Sequence, residues 1–228
     1  MSLGHHAMLR FPDEGGNLCT APFLFGQVSP EPIESPEKRG YSLLETGATF
    51  SSLGSVKTNT GQIADLTRYP ARRGYEDLVM LVTDPSVPMG WTDVTFPSKR
   101  FVWFALKDTS VLPNTVMWMS NGGRHYTPWN GRHVNVLGLE ETNSYFHFGL
   151  SESAKANAIS DRGWPTHAVL RADMPTTVNY IFGVAPIPEG VEMIDAIERS
   201  KNGIAIMSGK TCIEVPLDLD FLFGKDST

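Results

Sequence analysis

The 21 glycines and 16 prolines of this 228-residue chain are scattered along its whole length, and that scatter limits the fold more than any other feature. Proline cannot donate to a hydrogen-bond ladder, and glycine supplies the positive φ of tight turns, so both end regular segments at short intervals. Between them lie short runs rich in β-branched and aromatic residues, the composition of strands. Candidate strands cover residues 4–12, 74–83, 101–106, 115–119, 169–171, 177–184, 203–208 and 210–215. Residues 41–69 read as hairpin-like around a turn at 58–61, and the proline-rich stretch 26–36 reads as a connecting loop. The pattern predicts an all-β, antiparallel protein. Two helices are expected to interrupt it. A short one covers 151–160, and the convincing one covers 188–201, where Val191, Ile194 and Ile197 recur at helical spacing and Asn202-Gly203 supplies a stop. Neither repeat nor linker divides the chain, so residues 1–228 read as one domain.

Charge and cysteine content narrow the function classes. The 25 acidic against 19 basic residues give a net charge of −6 without a basic run that could track a phosphate backbone, which argues against nucleic acid as a partner. Two cysteines, Cys19 and Cys212, do not make a disulfide framework, and a reducing, cytoplasmic setting fits them best. Apolar runs stay far below the roughly 20 residues of a spanning helix, and the N-terminus lacks the pattern of a secretory signal, so no membrane role is expected.

Residues 117–148 concentrate the chemistry. They hold Trp118, Asn121, Arg124, His125, Trp129, Arg132, His133, Glu140, Glu141 and His147, with turns expected at Gly122-Gly123 and Asn130-Gly131. Flat aromatic surfaces beside a few polar anchors suit a small polyhydroxylated ligand: Trp118 and Trp129 would stack on a sugar ring while Arg124 and Asn121 bond its hydroxyls. The histidines match no zinc spacing, so no metal is expected. Neither a Gly-x-Ser-x-Gly elbow, a histidine beside a cysteine, nor a phosphate-cradling glycine loop is present.

Trp118-x-Ser120-Asn121-Gly122-Gly123-Arg124, Pro128-Trp129-Asn130-Gly131 and Gly138-Leu139-Glu140 together resemble the C-terminal region of the galactose mutarotase-like superfamily, and specifically its aldose 1-epimerase relatives. Gly4-His5-His6, with the apolar residues after it, is similar to the strand on which that family carries a catalytic histidine. Gly74-Tyr75-Glu76-Asp77-Leu78 is similar to the segment with its substrate-binding aspartate.

The resemblance implies an antiparallel β supersandwich that interconverts sugar anomers without a cofactor. It further implies Glu140 as base, His6 as acid, and His5 and Asp77 as substrate-binding groups. Adjacent strand residues face opposite ways, so only one of His5 and His6, one of Glu140 and Glu141, and one of Glu76 and Asp77 can reach a sugar. The family supplies a further histidine and an arginine from strands that would precede residue 1. A sandwich lacking those strands is expected to self-associate through an uncovered edge. A carbohydrate-binding protein without turnover is the alternative function.

Overall fold

Strands this short satisfy their backbone groups only by pairing across the chain, and the computed structural model, which describes residues 1–35, 37 and 39–224, pairs them in antiparallel sheets. The first sheet has six strands in the spatial order β1 (Gly4–Arg10), β12 (Val136–Thr142), β11 (Asn114–Asn121), β8 (Tyr75–Thr83), β3 (Phe23–Val28) and β4 (Thr49–Phe50). The second runs β13 (Tyr180–Pro186), β10 (Phe101–Asp108), β9 (Met89–Phe96), β2 (Gly16–Thr20) and β7 (Arg68–Tyr69). Strands β14 (Ala196–Ser200), β15 (Gly203–Ser208) and β16 (Thr211–Pro216) form a separate meander, and β5 (Val56–Lys57) pairs with β6 (Ile63–Ala64). The protein is all-β, and no helix among the described residues is long and apolar enough to cross a membrane.

The two large sheets face each other. Val79, Leu81, Met117, Leu137 and Leu139 of the first pack with Leu18, Val94, Phe96, Trp103 and Ala105 of the second in one core. Both outer faces are covered as well. The β14–β16 meander closes over Val102, Phe104 and Leu106, and segment 145–164 lies over Leu78, Met80 and Val116. Central strands are therefore buried on both faces, which is why β8 and β9 show almost no alternation of exposure. At one side the sandwich is open: β1 pairs only with β12, and Phe182 and Val184 on the edge strand β13 are 59% and 65% exposed.

The helix expected over 188–201 does not form. Residues 188–195 lack regular structure, and 196–200 are strand β14. Val191, Ile194 and Ile197 are buried, as their spacing implied, but against the outer face of the second sheet. The neighbouring backbone finds partners elsewhere: Asp195 N–H donates to Met207 O, Ser208 Oγ to Met193 O and Asn17 Nδ2 to Glu192 O. Asn202 sits in a two-residue hairpin connection, since Ser200 and Gly203 are ladder partners. The shorter helix shrinks to one turn, α1 (Leu150–Ser153), followed by a 3-10 turn at Ser160–Arg162. Residues 169–171 contribute only a bridge from Arg171 to Met174. The loop expected from residue 26 starts later, because Gly26 to Val28 belong to β3, and Pro36 lies outside the described residues. Strands β2, β3 and β9 were not foreseen.

One carboxylate sits under the β14–β16 layer without full satisfaction. Asp93 is 1% exposed; its Oδ2 accepts from Thr95 Oγ1 at 2.9 Å, while Oδ1 has no partner. Burial pushes this carboxyl well above its ordinary value. The folded form therefore binds a proton more tightly than the unfolded chain, whose aspartate titrates near ~3.9. Stability present in full below that value is lost as pH rises through the folded one. Asp93→Asn is expected to stabilise the protein at pH 8 by about 1 kcal/mol or more while changing little at pH 4. Urea midpoints measured across this range would show the two proteins diverging; parallel curves would rule the effect out.

Candidate functional site

The ladder between β1 and β12 makes His6 the direct partner of Glu140, and β11 lies on the other side of β12 with Val116 opposite Glu140 and Trp118 opposite Gly138. Alternation then sends His6, Trp118 and Glu140 to the outer face of the first sheet. There they line a pocket of about 300 Å³ together with Leu78 of β8, Arg124, and three residues from covering loops, Ile33, Glu34 and His147. Gly138 lies close to three of them. A Cβ there would come within 3.2 Å of Glu140 Oε1, 3.3 Å of Trp118 Cβ and 3.4 Å of His6 Cε1, so any side chain would crowd all three groups.

Within the pocket His6 Nε2 stands 3.2 Å from Glu140 Oε1, with the imidazole half exposed and the carboxylate side chain 22% exposed. Burial pushes Glu140 up to about 7, and burial lowers the His6 imidazole below its ordinary value. Glu140 is thereby raised toward neutrality while His6 is pushed below its ordinary range, and the two groups, in contact, titrate as a pair. The two groups occupy one wall.

The opposite wall is an ion-pair network. Arg124 Nε is 2.6 Å from Glu34 Oε1 and 3.6 Å from Glu76 Oε1, and Tyr126 Oη donates to Glu34 Oε2 at 2.6 Å. The guanidinium carbon lies 4.9 Å from the ring centroids of both Trp118 and Trp129. Indole faces that the sequence assigned to a sugar are in part occupied by this cation. Trp118 Nε1 donates to Glu76 Oε1 at 2.8 Å, whereas Glu76 Oε2 has no partner; burial pushes Glu76 up to about 7. Residues 122–124 reach this position because Gly123 passes against β8, where a Cβ would sit 2.2 Å from Glu76 N.

Of the residues singled out in the sequence, the fold brings His6, Trp118, Arg124 and Glu140 together in the pocket, with Trp129 behind Arg124. His5 does not line it. Its ring stacks on Tyr180 at 4.1 Å between the two sheets. Asp77 also faces inward, 3% exposed, where Oδ1 accepts from the Leu43 and Leu44 amides at 2.9 and 3.0 Å. Asn121, on the same inner face of β11, ties loops together by donating to Ala71 O and accepting from Asn135 N. Glu141 is buried between the sheets against Lys107 at 2.5 Å. His125, His133 and His147 point to three different places: His125 Nε2 is 3.3 Å from Gly74 O, His133 Nδ1 is 2.6 Å from Ser120 Oγ, and His147 lines the pocket. No group of three or more metal-binding side chains occurs among the described residues.

Ile33, Glu34, Leu78 and the placement of His147 were not foreseen. Glu34 comes from the proline-rich loop, roughly a hundred residues before Glu140, and no periodicity links such a position to the pocket. Comparison of the chain with protein families, curated proteins and solved structures gives no match.

Proposed function

We propose that this protein is an aldose 1-epimerase-like isomerase that interconverts the anomers of a monosaccharide, and that its sheets are packed as in the galactose mutarotase-like supersandwich. The His6–Glu140 pair, 3.2 Å apart in a pocket of about 300 Å³, carries the reading. That volume is at the small end of the roughly 300–1,000 Å³ typical of small-ligand sites, which suits a single sugar ring.

Anomer exchange needs a base for the C1 hydroxyl and an acid for the ring oxygen. Both oxygens are bonded to the same carbon, so the two groups must sit within a few ångströms of each other, as His6 and Glu140 do. Glu140 as carboxylate removes the hydroxyl proton while His6 as imidazolium protonates the ring oxygen, and the C1–O5 bond opens. The proton has then moved from His6 to Glu140 by way of the sugar. Rotation about C1–C2 and the reverse transfers close the ring with inverted configuration at C1. Proton and electron counts balance without a cofactor. Arg124, fixed by Glu34 and Glu76, presents remaining N–H donors to sugar hydroxyls.

The rate is expected to pass through a maximum below pH 7, since Glu140 is raised to about 7 and His6 is lowered from its ordinary value. At lower pH Glu140 is protonated and the base is lost; at higher pH His6 is neutral and the acid is lost. Polarimetry of freshly dissolved α-glucose and α-galactose between pH 5 and 9 tests this after subtraction of the buffer rate. A rate equal to buffer throughout, with sugar binding detected by calorimetry, would replace the isomerase reading with that of a carbohydrate-binding protein.

A further inference from the structure

We propose that a second pocket, on the far side of the strand-like segment 39–41 from the sugar site, binds the phosphoryl group of a small molecule. This pocket, about 290 Å³, is lined by Arg39, Tyr41, Arg73, Gly74, Tyr75 and His125. Backbone pairing separates it from the first. Gly40 bridges Arg124, Tyr41 N–H donates to Gly123 O at 3.0 Å and His125 N–H to Arg39 O at 3.1 Å, so the Arg124 side chain lines the sugar pocket and the His125 side chain the other.

The chemistry of the lining is one-sided. Two arginines and two tyrosines line it, and none of their guanidinium and hydroxyl groups has a hydrogen-bond or ion-pair partner among the described residues. No carboxylate lines the pocket, although the chain as a whole carries a net charge of −6. The arginine of the first pocket, Arg124, is by contrast paired with Glu34. Guanidinium forks match phosphate oxygens two at a time, and tyrosine hydroxyls add further donors. His125, edge-on to Tyr41 with ring centroids 5.0 Å apart and held at Gly74 O, forms a rigid wall.

The backbone at Arg39 is itself unusual. Its φ of +62° is in the left-handed region, where a non-glycine side chain is uncommon, and the bonds from His125 and of Tyr41 fix the segment on both sides.

Calorimetric titration in a phosphate-free buffer of low ionic strength tests the assignment, with inorganic phosphate, glucose 6-phosphate and glucose as probes. Both phosphoryl compounds are expected to bind, the tighter of the two identifying free phosphate or a phosphomonoester as the natural source. An Arg39→Asn, Arg73→Ala double variant, in which asparagine tolerates the left-handed backbone, should lose tenfold or more of this affinity with an unchanged circular dichroism spectrum. Glu140→Gln should leave it intact. No heat with either phosphoryl compound, affinity in the double variant within twofold of wild type, or loss of phosphate binding in Glu140→Gln would each overturn the proposal. Failure of the isomerase reading would show instead in polarimetry and leaves these titrations unaffected.

Discussion

Glu140→Gln is expected, on the proposed isomerase function, to slow anomer interconversion roughly 10²-fold or more, to near the buffer rate, while the protein stays folded. Glutamine keeps the size and the polar contact to His6 but cannot accept a proton at this pH. The site tolerates the swap structurally, because Glu140 is partly open to the pocket and burial already favours its neutral form. His6→Asn should cost a comparable factor through loss of the acid, since the ring oxygen leaves as an alkoxide without it. The double variant should be scarcely slower than either single one, because the two groups act as a unit and their effects are not additive. Polarimetry on the three variants checks this. Losses below about threefold in both single variants would make the pair a bystander.

Glu141→Gln, one residue along, is expected to act on stability, by roughly 3–5 kcal/mol. Glu141 is 1% exposed, pairs with Lys107 at 2.5 Å and accepts from Thr115 Oγ1 at 2.6 Å and Thr92 Oγ1 at 2.9 Å. Lys107 is equally buried, and burial lowers its ammonium below the ordinary lysine value even with its partner in place. A neutral amide opposite it leaves a cation between two sheets without a counter-charge. Replacing both, as in Lys107→Met with Glu141→Leu, removes that penalty and should recover most of the loss, because an apolar pair of similar volume belongs in such a core. Urea unfolding of the single and double variants distinguishes the cases. If Glu141→Gln unfolds within 1 kcal/mol of wild type, the ion pair does not hold the sheets together as the geometry implies. The contrast with Glu140 is sharp: adjacent carboxylates, one affecting rate and the other affecting folding.

Strand runs legible in the sequence were those with dense apolar and aromatic content, such as β8, β10 and β11, whose central positions are buried on both faces. Strand β9 escaped notice because Thr92, Asp93 and Thr95 break its apolar run, and nothing local reveals that Thr92 meets Glu141 or that Asp93 lies under another layer. Segment 188–201 misled for a related reason. Its three apolar side chains are buried at the spacing of a helix, yet hydrogen bonds to β15 and β2 hold the backbone in another form. The turns at Gly122 and at Asn130-Gly131 were legible from residue type, and φ values of +85°, +49° and +69° show why those residues are there.

The amino-acid sequence by itself determined the all-β class, through proline and glycine that interrupt any longer regular segment, and it concentrated polar and aromatic side chains in residues 117–148, whereas the pocket also draws His6, Ile33, Glu34 and Leu78 from outside that stretch. It also implied that the two members of each adjacent pair face opposite ways, because strand side chains alternate. Only the tertiary structure decided which member points outward. His6 and Glu140 point outward, and His5, Asp77 and Glu141 inward, because the second sheet covers one face of the first and leaves room on the other under loops 31–34 and 143–149. That choice depends on contacts between residues as distant as Glu34 and Arg124, and no local periodicity encodes them.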